Sequence, residues 1–181
     1  MARVAGILIV VLLLLSACAG SGPPQLAPVG DVIPAGVSLE GRWKLQGGAS
    51  DAEKRIRRAE YRSSGGRHGA DGPAVFVFLR TGERLKISQT PYALFVSFDR
   101  SVVEEYRFRE HRLVSVGPIA ADRVSGWSGG RYVIRTLDSD GALLEESYAL
   151  EAGGDMLVRT VTITYSRDTL LSLRQVYDRL D

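Results

Sequence analysis

The chain has 181 residues, 23 basic against 21 acidic side chains and a formal net charge of +2. That near-balance lacks the strong basic field that polyanions require, so nucleic acid is not an expected partner. With one cysteine and two histidines, an internal disulfide is impossible and metal sites are poorly supplied, so no cofactor or metal is expected.

Met1 to Ala19 reads MARVAGILIVVLLLLSACA, with Arg3 ahead of an apolar run from Val4 to Leu15 and small residues after it. This is the layout of a secretory signal peptide, and the run falls short of the ~20 residues a membrane-spanning helix needs. Leu15-Ser16-Ala17-Cys18 resembles the lipobox of bacterial lipoproteins. The resemblance implies cleavage before Cys18 and acylation of its thiol, which also accounts for a lone cysteine in an exported chain. Three acyl chains would hold such a protein firmly at a membrane, at about 0.8 kcal/mol per buried CH₂. Ala19 stands where an Asp would imply inner-membrane retention, so the resemblance points to the outer membrane, facing the periplasm.

Residues 19–37 hold four prolines and four glycines without periodic apolar positions. They read as a flexible linker, giving a signal over 1–17, lipidated Cys18 and linker over 18–37, and one domain over 38–181. Ser50-Asp51-Ala52-Glu53 fits a capping box and predicts a short helix over 51–62 with Ala52, Ile56 and Ala59 on one face. Its five basic residues (Lys54, Arg55, Arg57, Arg58 and Arg62) form either a solvated face paired with Asp51, Glu53 and Glu60, or a surface for anionic headgroups. Residues 63–73 read as a loop.

From Ala74 onward the apolar period is two, as in Leu85/Ile87, Leu94/Val96/Phe98, Tyr106/Phe108 and Leu157/Val161/Ile163. Such alternation, separated by Thr81-Gly82, Asp99-Arg100, Ser139-Asp140-Gly141 and Gly153-Gly154-Asp155, marks half-buried antiparallel strands. Nine or ten strands without a βαβ rhythm predict an all-β fold, an up-and-down barrel whose closure would remove exposed edges. Phe76, Phe78 and Tyr92 are read as strand aromatics alongside Phe98, Tyr106 and Phe108.

Gly126-Trp127-Ser128-Gly129-Gly130 matches the G-x-S-x-G pattern of a nucleophile elbow. An elbow needs a helix after the serine and a histidine downstream. Here a β-branched run, Arg131-Tyr132-Val133-Ile134, follows, and both His68 and His111 lie upstream. Ser128 is therefore read as a turn residue, and Gly129-Gly130 as the positive-φ pair of a tight hairpin.

Gly41-Arg42-Trp43 opens the first strand of the domain, and this G-x-W followed by an all-β meander resembles lipocalins and lipocalin-like bacterial envelope proteins. The resemblance implies a Trp plug at one barrel end with an arginine from the last strand over its ring. Parity selects Arg179, which shares a face with Leu173 and Tyr177. The same parity turns Glu104 inward with Tyr106 and Phe108, and Glu146 inward with Leu144 and Tyr148. Arg159 shares the face of Leu157 and Val161, so Glu104 and Glu146 are expected to pair with Arg159 or Arg179, since an unpaired buried carboxylate is costly. Trp43, Tyr106, Phe108 and Tyr148 complete the candidate interior, either an ion-pair plug in a filled barrel or a ligand contact. The expected function is non-enzymatic: a lipid-anchored envelope protein binding a small, partly apolar ligand or serving as a docking body. An interaction module using an edge strand and a carboxylate-dependent hydrolase are the alternatives.

Overall fold

Alternating sequence becomes ten antiparallel strands in this computed structural model, which describes residues 25–65 and 72–180. The signal-like segment and Cys18 lie outside the described residues. In chain order the elements are β1 (Gly41–Leu45), α1 (Ser50–Ser63), a 3-10 segment (Ala74–Phe78), β2 (Arg84–Gln89), β3 (Ala93–Phe98), β4 (Val102–Arg107) and β5 (His111–Val116). They continue with β6 (Ile119–Ser128), β7 (Arg131–Asp138), β8 (Leu143–Glu151), a 3-10 turn (Ala152–Gly154), β9 (Met156–Tyr165) and β10 (Asp168–Leu180).

The strands lie in the order β4-β3-β2-β1-β10-β9-β8-β7-β6-β5. Pairing of β1 with β10, Trp43 opposite Arg179, joins the two ends of the chain and curls the sheet into a lipocalin-like barrel. Closure is incomplete, contrary to expectation: β4 and β5, though consecutive, share no ladder. The cause lies at Phe108, whose ring turns inward to within 5.4 Å of the Tyr132 ring. Arg109 then takes a φ of 61° and donates its N–H to the Ser125 carbonyl of β6 at 2.8 Å. The end of β4 is thus tied to β6, and a seam opens between β4 and β5.

Inside lie two apolar clusters. Trp43, Leu85, Phe98, Tyr132, Tyr148 and Tyr177 belong to one; Ala59, Phe76, Phe78, Leu144, Val161 and Leu171 belong to the other. Ala59 brings α1 against the second cluster, beside the partly buried Ala52 and Ile56. Trp43, Tyr132, Tyr148 and Tyr177 have no surface that water reaches. They pack together as one buried aromatic cluster.

Four local expectations are corrected. Ala74–Phe78 is a 3-10 segment, not a strand. Its unbroken apolar run is buried at Val75, Phe76 and Phe78, and the Val75 N–H is satisfied by an Asp138 carboxylate oxygen at 2.9 Å rather than by a ladder. Tyr92 lies in the turn before β3 and is exposed, because the strand begins only at Ala93 after Pro91. The helix starts at Ser50 with Ala49 as its N-cap, and no capping box forms; the Ala49 N–H instead donates to Glu83 Oε1 at 3.3 Å. Finally, the described part of the expected linker is packed. Leu26 and Val29 lie on Val124 and Val133 of the outer face, and Gly30 bridges to Trp127. Asp31 pairs with Arg109 at 3.2 Å, and Leu39 is fully buried beside Trp43. The domain therefore begins well before Ser38.

Candidate ligand site at an open seam

At one barrel end the Arg179 guanidinium lies 4.2 Å from the centre of the Trp43 ring. It donates to the carbonyls of Glu40 at 2.9 Å and Gly154 at 3.1 Å, which fixes it over the ring. Arg179 is exposed and meets neither Glu104 nor Glu146; its place is structural. Trp43 donates its indole N–H to the Leu39 carbonyl at 3.2 Å.

Glu146 and Arg159 pair in the barrel interior, with side chains 1% and 0% exposed. Arg159 reaches Glu146 Oε2 through both Nε and Nη2. It also donates to Gln175 Oε1 at 3.1 Å and to the Arg80 carbonyl at 2.7 Å. Its guanidinium lies 5.3 Å from the Phe98 ring centre and 5.6 Å from that of Tyr148. Burial pulls the Arg159 pKa down, but neighbouring Tyr148, Glu146 and Tyr177 outweigh it, and the net shift is upward. Burial likewise raises the phenols of Tyr106, Tyr148 and Tyr177.

Glu104 also turns inward, but its partners differ from those expected. Arg80 Nε donates to its Oε1 at 3.1 Å and Arg123 Nη1 to its Oε2 at 3.2 Å. Arg159 is committed to Glu146, and Arg179 lies at the barrel end. Arg123, on β6, also donates to Thr136 directly opposite on β7 at 3.0 Å. Its guanidinium lies 5.4 Å from the Tyr106 ring centre and 5.8 Å from that of Phe78. Parity with Trp127 carried a readable signal for Arg123; Arg80, in the aperiodic segment before β2, carried none.

This cluster lines the seam. A cleft of about 300 Å³ is bounded by Arg80, Glu104 and Arg123 within, by Glu105 of β4 and Arg112 of β5 at its lips, and by Phe78, Leu113, Val114 and Val116. Arg112 crosses the seam to Glu105 at 3.6 Å. Hydrogen bonding from Arg107, with further help from Arg112, lowers the Glu105 pKa below the usual carboxylate range. Leu113 is 75% exposed beside these charges. Three arginines face two glutamates here, so the cleft carries one net positive charge. Phe108 and Tyr148, expected at a site, are core side chains that do not line the cleft. Tyr106 contributes through its ring beneath Arg123.

Ser128 ends β6 opposite Arg131, exposed at a two-residue hairpin whose Gly129 and Gly130 have φ of 56° and 80°. No helix follows it. Among the described residues, no group of three or more His, Cys, Asp or Glu is placed to hold a metal ion.

The strand order and pairing define a lipocalin- and fatty-acid-binding-like β-barrel. Lipid binding protein 8 of Caenorhabditis elegans superimposes with a TM-score of 0.52 at 13% identity, over 81% of this chain and all of its own length. A secretory abundant heat soluble protein of Ramazzottius varieornatus gives 0.52 at 14% identity, over 80% of this chain and 97% of its own. At such identities the likeness shows the fold alone. No protein-family model and no curated protein matches the sequence.

Proposed function

We propose that this chain is an exported, non-enzymatic, lipid-anchored protein that takes a small, partly apolar ligand at the seam between β4 and β5. The observation carrying this reading is the cleft itself, where apolar Phe78, Leu113, Val114 and Val116 adjoin Arg80, Arg112 and Arg123. Such a lining suits an apolar body with an anionic or strongly hydrogen-accepting head. Burial favours the seam over the barrel lumen, because Trp43, Tyr148, Tyr177 and Arg159 are closed to solvent whereas the seam is open to it. A fold-mate named for binding lipid supports an apolar ligand.

The non-enzymatic reading rests on how the carboxylates are engaged. Glu104 is held by two arginines and Glu146 by Arg159, which leaves neither placed as a general base. The anchor rests on the lipobox-like Leu15-Ser16-Ala17-Cys18, and the outer membrane on Ala19. Native mass spectrometry of protein purified from its own membranes tests the ligand. A retained small mass in one-to-one ratio, lost in Leu113→Asp, is the expected result.

A second reading has its own observation. β4 and β5 are free sheet edges, and Val102, Val103 and Leu113 on them are exposed. These suit an envelope protein that adds a strand. A co-purifying polypeptide lost in Leu113→Asp, with no small mass retained, would favour it.

A further inference from the structure

At about 100° per residue, Arg55, Arg58 and Arg62 fall along one flank of the Ala52–Ile56–Ala59 stripe of α1, with Asp51 at the N-terminal end of that flank, while Glu53 and Glu60 fall on the other. The arginine flank faces the start of β10, where a groove of about 180 Å³ is lined by Arg55, Arg58, Arg62, Leu170, Leu171 and Ser172 and by no acidic side chain. Arg55 is fixed there, its Nη2 donating to the Ser172 carbonyl at 2.7 Å. Arg58 and Arg62 have no carboxylate partner among the described residues, whereas Arg57, on the opposite side, pairs with Glu53 at 3.6 Å.

A purely solvated charge run would distribute its arginines among its own glutamates, as Arg57 does. Here three guanidinium groups converge on one groove, and Leu170 supplies an apolar wall. Guanidinium forks match phosphate oxygens in geometry and charge. We infer that this groove is a binding site for the phosphate of an anionic membrane phospholipid, with the start of the acyl region against Leu170. The site is separate from the β4/β5 seam and does not depend on the ligand proposed there.

Hydrogen exchange of the full-length protein mixed with lipid nanodiscs tests this. On discs containing phosphatidylglycerol, amides of α1 and Leu170–Ser172 should slow by about tenfold relative to discs of phosphatidylcholine alone. Arg58→Gln/Arg62→Gln should abolish the protection, and Lys54→Gln/Arg57→Gln should keep it. All four residues are exposed, so both double variants fold. Equal exchange on the two discs overturns the site. Equal loss in Lys54→Gln/Arg57→Gln also overturns it, by showing diffuse charge attraction. The same protection from inorganic phosphate on phosphatidylcholine discs overturns the lipid assignment in favour of a free-phosphate site.

Discussion

Arg159 and Glu146 meet diagonally across β8 and β9, Arg159 opposite Tyr148 and Glu146 opposite Val161, with both side chains sealed from water. A pair so placed is costly to break from one side, because the survivor keeps its charge without a counter-ion. Glu146→Gln is expected to cost about 3–5 kcal/mol. At about 2–4 °C per kcal/mol for a chain of this size, thermal unfolding should fall by about 10 °C. Glu146→Leu/Arg159→Met should be less destabilised than Glu146→Gln, and calorimetry on the variants checks the order.

The buried tyrosines set a limit at high pH. Burial raises the phenols of Tyr106, Tyr132, Tyr148 and Tyr177 in the folded chain, while an unfolded phenol titrates near ~10. Above that pH the unfolded chain releases protons that the folded chain keeps. Stability is therefore unaffected by these groups below ~10 and falls above it, by about 1.4 kcal/mol per pH unit for each phenol. In an alkaline titration, tyrosinate absorbance from these four should rise together with the loss of circular dichroism, not before it.

Gly126 lies under residues 25–37, which form an N-terminal strap packed on Val124 and Val133, and a Cβ there would stand 2.1 Å from the Gly30 carbonyl oxygen. Gly126→Ala should lift the strap, at a cost of about 1–3 kcal/mol, and expose residues 25–37 to protease while the barrel stays folded. Ser128→Ala, at the exposed end of the same strand, should change stability by no more than about 0.5 kcal/mol. Limited proteolysis and thermal melts separate the two.

Arg179→Gln removes the cation over Trp43 together with its bonds to Glu40 and Gly154. The cation–π contact alone is worth about 0.5–2 kcal/mol. Stability should fall by at least that much, with a change in Trp43 fluorescence, while ligand retention at the seam is unaffected.

Period-two patterning made the strands legible, because each inward residue had to meet a core and each outward one water. The same parity put Arg179 over Trp43 and turned Glu146 inward beside Arg159. It could not supply Arg80, whose position depends on a 3-10 segment with no period, and so Glu104 was matched to the wrong arginines. The seam was equally hidden, since it arises from a non-local tie between Arg109 and Ser125. The strap resembled a linker because its prolines and glycines conceal Leu26 and Val29, which pack only once the barrel surface exists.

The central claim, that the ligand sits at the seam and not in the lumen, is tested most directly by chemical-shift mapping with 1-anilinonaphthalene-8-sulfonate, a small anionic probe with an apolar body. Saturable shifts are expected at Glu104, Arg112, Leu113, Val114 and Arg123, with Trp43, Tyr148, Arg159 and Tyr177 unmoved. Shifts centred on those four interior residues, or no saturable binding, would contradict it.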